Sequence, residues 1–236
     1  MSDIKNFLKL LSSKVTDNVE IVTPKTLGQD FFLHISKDTT KKAYIPFIST
    51  RAARSEDRTV PRVTVSDYLL GCIFGYATLI DETFSSEKDD KRGMYINMIP
   101  FEQALKPNAK LVYDQTASNE HWLVPYDEKH KEYPFERIGK IFVVDVLFTP
   151  DNSKYGATLT FDVFIEITKE EGIKFSKDIF LPKGYYYLKN ICNSYITYKG
   201  SKKITCQTIT KNEFLEQKKI SAALLSHSEK LFIDKW

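Results

Sequence analysis

Glycine and proline number only nine each in 236 residues. A chain so poor in both has little room for a long disordered linker and joins its regular elements by short connections. Cysteine is scarcer still. Cys72, Cys192 and Cys206 are odd in number and not closely spaced, which argues against a disulfide framework or a zinc site and leaves them as reduced core thiols. The four histidines lack metal-ligand spacing, so no metal is expected. There is no Gly-rich phosphate loop and no serine in a nucleophile-elbow context. Charge of one sign is also missing. With 34 basic against 31 acidic side chains and a net charge of +3, no global field announces nucleic acid or an anionic membrane, and any basic site is local. Nothing is long and apolar enough to span a bilayer, and MSDIKNFLKLL is not a secretory leader, so the expected location is the cytoplasm with no membrane partner. Repeats and low-complexity segments are absent too.

What is present suffices for a folded core: 42% hydrophobic and 13% aromatic residues. The length suits a single domain over 1–236, with a core at 19–168 and a C-terminal extension at 169–236. Ile4 to Leu11 has the spacing of a short amphipathic covering helix, Val19 to Val22 reads as a strand, and Asp30 to Ile35 as a stronger one. His34, flanked by Phe32, Leu33 and Ile35, is more often a core histidine than a functional one.

The stretch from Tyr44 to Ile80 organises the rest. A charged loop, Arg51 to Arg58, leads into an alternating strand, Val60 to Val65. Ser66 or Asp67 then stands as N-cap of a helix over Tyr68 to Leu79. Arginines beside a helix N-terminus attract anions, so this corner suits a phosphate-bearing ligand, although an ordinary solvated loop has the same composition.

Asp81 to Arg92 is a charged surface loop, Met94 to Ile99 a strand, Phe101 to Leu105 a helical turn, and Lys110 to Tyr113 another strand. In Glu120 to Pro125, Trp122 and Val124 face one way while His121 and Leu123 face the other. Ile138 to Phe148 and Ala157 to Thr168 form a long antiparallel hairpin whose Asp162 and Glu166 share a face, ordinarily as solvated charges. Lys174 to Leu181 is a further strand. Tyr185, Tyr186, Tyr187, Tyr195 and Tyr198 among Lys183, Lys189, Lys199, Lys202 and Lys203 have the composition of a single-strand-binding surface, or equally of a sheet rim. Beyond Lys211 a terminal helix follows, with Asn212 as a possible cap.

Three fragments in order resemble the ADP-ribosyltransferase fold in its poly-ADP-ribose-polymerase-like branch: FFLHIS at Phe31 to Ser36, RVTVSDYLLGCIFGYA at Arg62 to Ala77, and NEHWLVPYD at Asn119 to Asp127. The resemblance implies an α+β fold: a split, mainly antiparallel sheet with helices packed at its sides and a C-terminal helix. It implies NAD as co-substrate across that sheet and a mono-ADP-ribosyltransferase that cleaves the nicotinamide-ribose bond and modifies a protein or nucleic-acid acceptor. His34 and Ser36 would hold the nicotinamide ribose, Tyr76 would line the nicotinamide pocket, and Arg51, Arg54 or Arg58 would meet the pyrophosphate. Glu120 would be catalytic, stabilising the positive charge that builds on the ribose as nicotinamide leaves. Where the family stacks a tyrosine on nicotinamide this chain has Val63 or Thr64. That departure favours the alternative, a non-catalytic accessory protein of bacteriophage or a mobile element that binds a nucleotide, nucleic acid or host protein, acting in the host cytoplasm. The oligomeric state is left open.

Overall fold

The computed structural model of the protein describes residues 4–36, 40–48, 56–75, 93–112, 115–150, 157–192 and 204–216. Their strands, in chain order, are β1 (Val19–Val22), β2 (Phe31–Ser36), β3 (Ala43–Tyr44), β4 (Val63–Ser66), β5 (Gly93–Pro100), β6 (Ala104–Pro107), β7 (Glu120–Leu123), β8 (Tyr133–Pro134), β9 (Glu136–Pro150), β10 (Ala157–Ile167), β11 (Ile173–Lys174), β12 (Phe180–Leu181), β13 (Gly184–Cys192) and β14 (Thr205–Ile209). Helices cover Ile4–Leu8, Ser13–Thr16, Pro24–Leu27 and Gln115–Ser118, and also 69–75 and 211–216. The fold is α+β, a large and mainly antiparallel sheet flanked by helices and followed by the helix at 211–216. No helix among the described residues is long and apolar enough to cross a membrane.

The chain divides into two compact units. The first comprises Met1–Tyr76, Ile96–Arg137 and Lys174–Phe180. Its strands run in the order β1–β6–β7–β4–β2. Alternation along them sorts side chains into two layers. Phe32, Val63, Val65 and Leu123 pack on one side with Tyr44, Ile99 and Tyr133. Leu105, Trp122 and Val124 pack on the other with Ile4, Val15 and Tyr126, and Phe7, Leu8 and Leu11 lie against this second layer. The N-terminal helix is therefore the expected cover.

The second unit comprises Ala77–Tyr95, Ile138–Ile173 and Leu181–Trp236. Its strands run β9–β10–β13–β14. The long hairpin forms as expected, with Ile165 opposite Ile141 and Phe164 opposite Phe142, and its register shifts between Asp162 and Val163. The helix at 211–216 lays Phe214 near Phe142, Phe164 and Tyr185.

Several expectations give way to tertiary context. Ala104 and Leu105 belong to a strand, not a helical turn, because they pair with Val22 and Ile21 of β1. Lys110 to Val112 form a turn instead of a strand: the Asn108 carbonyl accepts from Leu111 and Val112 and its side chain from Lys110. The stretch at Lys174 to Leu181 breaks into β11 and β12, with the Phe175 and Ser176 amides both donating to the Ile179 carbonyl. Thr210, not Asn212, opens the last helix, through a reciprocal box in which Thr210 N–H donates to Glu213 and Glu213 N–H to the Thr210 hydroxyl.

The side chains of Ser66 and Asp67 reach sideways. The Ser66 hydroxyl donates to the Ser118 carbonyl at 2.9 Å, and the Asp67 carboxylate accepts from the Asn119 amide. Gly71, on the helix at 69–75, lies so close to this junction that an added Cβ would meet both the Ser118 carbonyl and the Ser66 hydroxyl at 2.2 Å. Cys206 is an exposed residue of β14 and not a core thiol. Cys72 is partly buried, and its thiol donates to the Leu33 carbonyl at 3.1 Å. The loop at Asp81 to Arg92 lies outside the described residues.

Candidate functional site

Glu120 opens β7, opposite Ser66 of β4. Trp122 stands two residues on, so the two side chains share a face. The Trp122 indole N–H donates to Glu120 Oε1 at 2.6 Å. Over the same indole lies the Arg62 guanidinium, 4.3 Å from the ring centroid. Arg62 donates from Nη1 to the Val60 carbonyl at 3.2 Å and from Nη2 to the Asp57 carbonyl at 3.0 Å. Its Nη1 is 3.6 Å from Asp57 Oδ1, and its Nε faces Glu120 Oε1 at 3.9 Å, beyond hydrogen-bond reach.

Arg62 and Asp57 are buried and Glu120 is partly so. Arg62 is 3% exposed, Asp57 4% and Glu120 12%. A buried cation is tolerable only when anions and acceptors lie near it, and here two carboxylates, two carbonyls and an indole face do, although Nε makes no hydrogen bond. Burial raises the Asp57 carboxyl, but the amides of Thr59 and Val60, the Thr59 hydroxyl and the Arg62 charge outweigh it and hold the group below the usual carboxylate range. Gln115 brackets the backbone of Glu120, accepting from its N–H at 3.1 Å and donating to its carbonyl at 2.9 Å.

His34 stands elsewhere. Leu33 lies opposite Ser66, and Ser66 opposite Glu120, so these three form one row across β2, β4 and β7. Residues opposite one another share a face and neighbours along a strand alternate, which puts His34 and Ser36 together on the face away from Glu120. The ring contacts agree, since His34 meets Tyr44 edge-on at 4.5 Å, in the layer opposite Trp122. His34 Nδ1 lies 2.7 Å from the Thr64 carbonyl. Burial lowers its pKa to about 4 against the pull of that carbonyl, and Lys41 adds to the lowering. The ring is thus a neutral donor at pH 7.

Of the other candidates, Ser36 is half-buried at the end of β2 and Arg58 is exposed. Arg51, Arg54 and Tyr76 lie outside the described residues.

In the second unit the tyrosines of β13 are anchored by their hydroxyls: Tyr187 donates to Asp162 at 2.8 Å, Tyr185 to Glu166 at 3.3 Å and Tyr186 to the Pro182 carbonyl at 2.8 Å. Tyr187 is stacked on Phe164 with centroids 4.4 Å apart, and Lys189 Nζ lies 4.7 Å from its ring centre. Asp162 also accepts the Asn190 N–H at 2.9 Å. Both carboxylates are therefore ligands of the sheet and not an acid-base pair. Tyr195, Tyr198, Lys199, Lys202 and Lys203 are outside the described residues.

Sequence reasoning missed two groups. One is the Asp57–Arg62 pair, whose signal was Asp57 followed by Thr59, the pattern of a side chain that bonds the backbone two residues on. The other is His130, whose Nδ1 lies 2.7 Å from Asp127 and whose Nε2 lies 2.9 Å from the Tyr126 hydroxyl. Asp127 also accepts the His130 N–H at 2.9 Å, so this triad closes a turn. Among the described residues no group of three or more His, Cys, Asp or Glu could hold a metal ion. No protein-family profile, curated protein or solved structure matches the chain.

Proposed function

We propose that this chain acts by binding and not by catalysis, as a non-catalytic accessory protein. One observation carries this reading: the Glu120 carboxylate, the group that would have to face a reacting sugar, is partly buried, accepts the Trp122 indole N–H and neighbours the Arg62 guanidinium. A carboxylate engaged by an indole N–H and a guanidinium serves to neutralise a buried cation. The position of His34 on the opposite face supports the same conclusion, because an NAD clamp needs both groups in one cleft.

The test is thermal unfolding of the chain with and without NAD. A specific ligand at a hundredfold excess over its dissociation constant stabilises a protein by about 2.7 kcal/mol. We expect no shift, and we expect Glu120→Gln to lower the melting temperature. An NAD-dependent shift, with nicotinamide release that vanishes in a fully folded Glu120→Gln variant, would restore the ADP-ribosyltransferase reading.

A further inference from the structure

Residues 174–180 belong by their contacts to the first unit, although the chain up to Ile173 and again from Leu181 belongs to the second. The segment is a small hairpin that bonds mostly to itself. The amides of Phe175 and Ser176 donate to the Ile179 carbonyl, and the Ser176 hydroxyl accepts from the amides of Asp178 and Ile179. Among the described residues one hydrogen bond leaves it, from the Leu70 N–H to the Phe175 carbonyl at 2.8 Å. The Phe175 ring is fully enclosed, whereas Lys177, Asp178 and Phe180 are exposed. Leu70 stands in the first turn of the helix at 69–75, where an amide has no acceptor within the helix. The side chains placed to cap that turn look elsewhere, Ser66 to the Ser118 carbonyl and Asp67 to the Asn119 amide. A carbonyl from the C-terminal half of the chain therefore serves as the cap.

We propose that residues 174–180 are a detachable strap. One aromatic ring and one carbonyl hold the start of the helix at 69–75, and the strap releases and docks again as a unit while the strands of the first unit stay paired. Two features make release local. The hairpin keeps its own hydrogen bonds, so only the bond between Leu70 and Phe175 is given up. The pairings of β4 and β6 with β7 involve none of its residues. Local openings of this kind lie below global unfolding in free energy. Release uncovers the Leu70 amide and the site of the Phe175 ring, and it ties the state of that helix to a segment made late in the chain. The inference stands apart from the binding reading, because the strap acts in the same way whatever the chain binds.

The test is hydrogen exchange of the full chain in low urea, read at single amides. Having no acceptor within its helix, the Leu70 N–H owes its hydrogen bond to Phe175 and so reports docking directly. It is expected to exchange faster than the paired amides of β7 and with a weaker dependence on urea, because release exposes little surface. Phe175→Ala should speed exchange at Leu70 about tenfold or more, as loss of a buried ring does, with the β7 amides still protected. Phe175→Leu, which keeps most of the apolar volume, should move Leu70 in the same direction and serves where Phe175→Ala does not fold. Exchange at Leu70 with the same rate and urea dependence as β7, or exchange indifferent to the Phe175 variants, overturns the proposal.

Discussion

Trp122, Arg62 and Glu120 depend on one another, and their substitutions should show it. Glu120→Ala removes the acceptor of a buried indole N–H and one of two anions beside a buried guanidinium. We expect a loss of about 2–3 kcal/mol, against about 1–2 kcal/mol for Glu120→Gln, whose amide oxygen still accepts the indole. Equal losses in urea titrations would show that the charge, and not the hydrogen bond, dominates. Histidine titration gives a second expectation. Burial lowers His121, fully enclosed and tilted against Phe32 with ring centroids 4.8 Å apart, to about 4, against the attraction of Asp67. His34 is lowered to about 4 as well. An unfolded histidine takes up its proton near pH 6.5 and these folded ones only near 4, so the unfolded state binds more protons between those values. Stability is then whole above about pH 6.5 and falls as pH drops towards 4. Melting curves at pH 7 and pH 5 should separate less in a His34→Gln/His121→Gln double variant than in the natural chain. An undiminished separation would exclude these histidines as the cause.

At the scale of elements, close approaches and bulges matter more than propensity. Gly71 permits the helix at 69–75 to touch the Ser66–Ser118 junction, where a methyl group has no space. Gly71→Ala should cost about 1–3 kcal/mol or more despite raising helix propensity, because backbone cannot yield as a flexible side-chain end does. A melting temperature equal to that of the natural chain would mean the helix can shift at little cost. Where β13 pairs with β10 it carries an extra residue opposite Asp162: Phe161 faces Ile191 while Val163 faces Leu188. Asn190 takes up the irregularity with φ of 60°, a conformation that asparagine tolerates. The Asp162 carboxylate fixes this bulge through the Asn190 N–H and the Tyr187 hydroxyl. Asp162→Ala should therefore speed amide exchange at Asn190 and cost about 1–3 kcal/mol, while Asp162→Asn, which keeps an acceptor, should do less. Protection at Asn190 that is unchanged in Asp162→Ala would sink this account of the bulge.

Across the molecule, the near balance of 34 cations and 31 anions is repeated locally where the tyrosines of β13 meet Asp162 and Glu166. Carboxylates on the same face oppose a phosphate backbone, and Tyr187 already has Phe164 and Lys189 against its ring. We expect single-stranded oligonucleotides to show no binding that weakens with salt and is lost in Tyr187→Ala; such a dependence would reopen that use of the surface.

The sequence alone determined the strands at Val19–Val22, Phe31–Ser36 and Glu120–Leu123, the covering N-terminal helix, and the hairpin of β9 and β10, because period-two and helical spacings are written in neighbouring residues. It also held the capping box from Thr210 to Glu213. Only the tertiary structure decided that Ala104 and Leu105 join β1, that Asp57 and Arg62 form a buried pair, and that His34 and Glu120 look away from each other. Those outcomes depend on which strand pairs with which and in what register. A shift of one residue exchanges the two faces of a strand, and no local pattern encodes it.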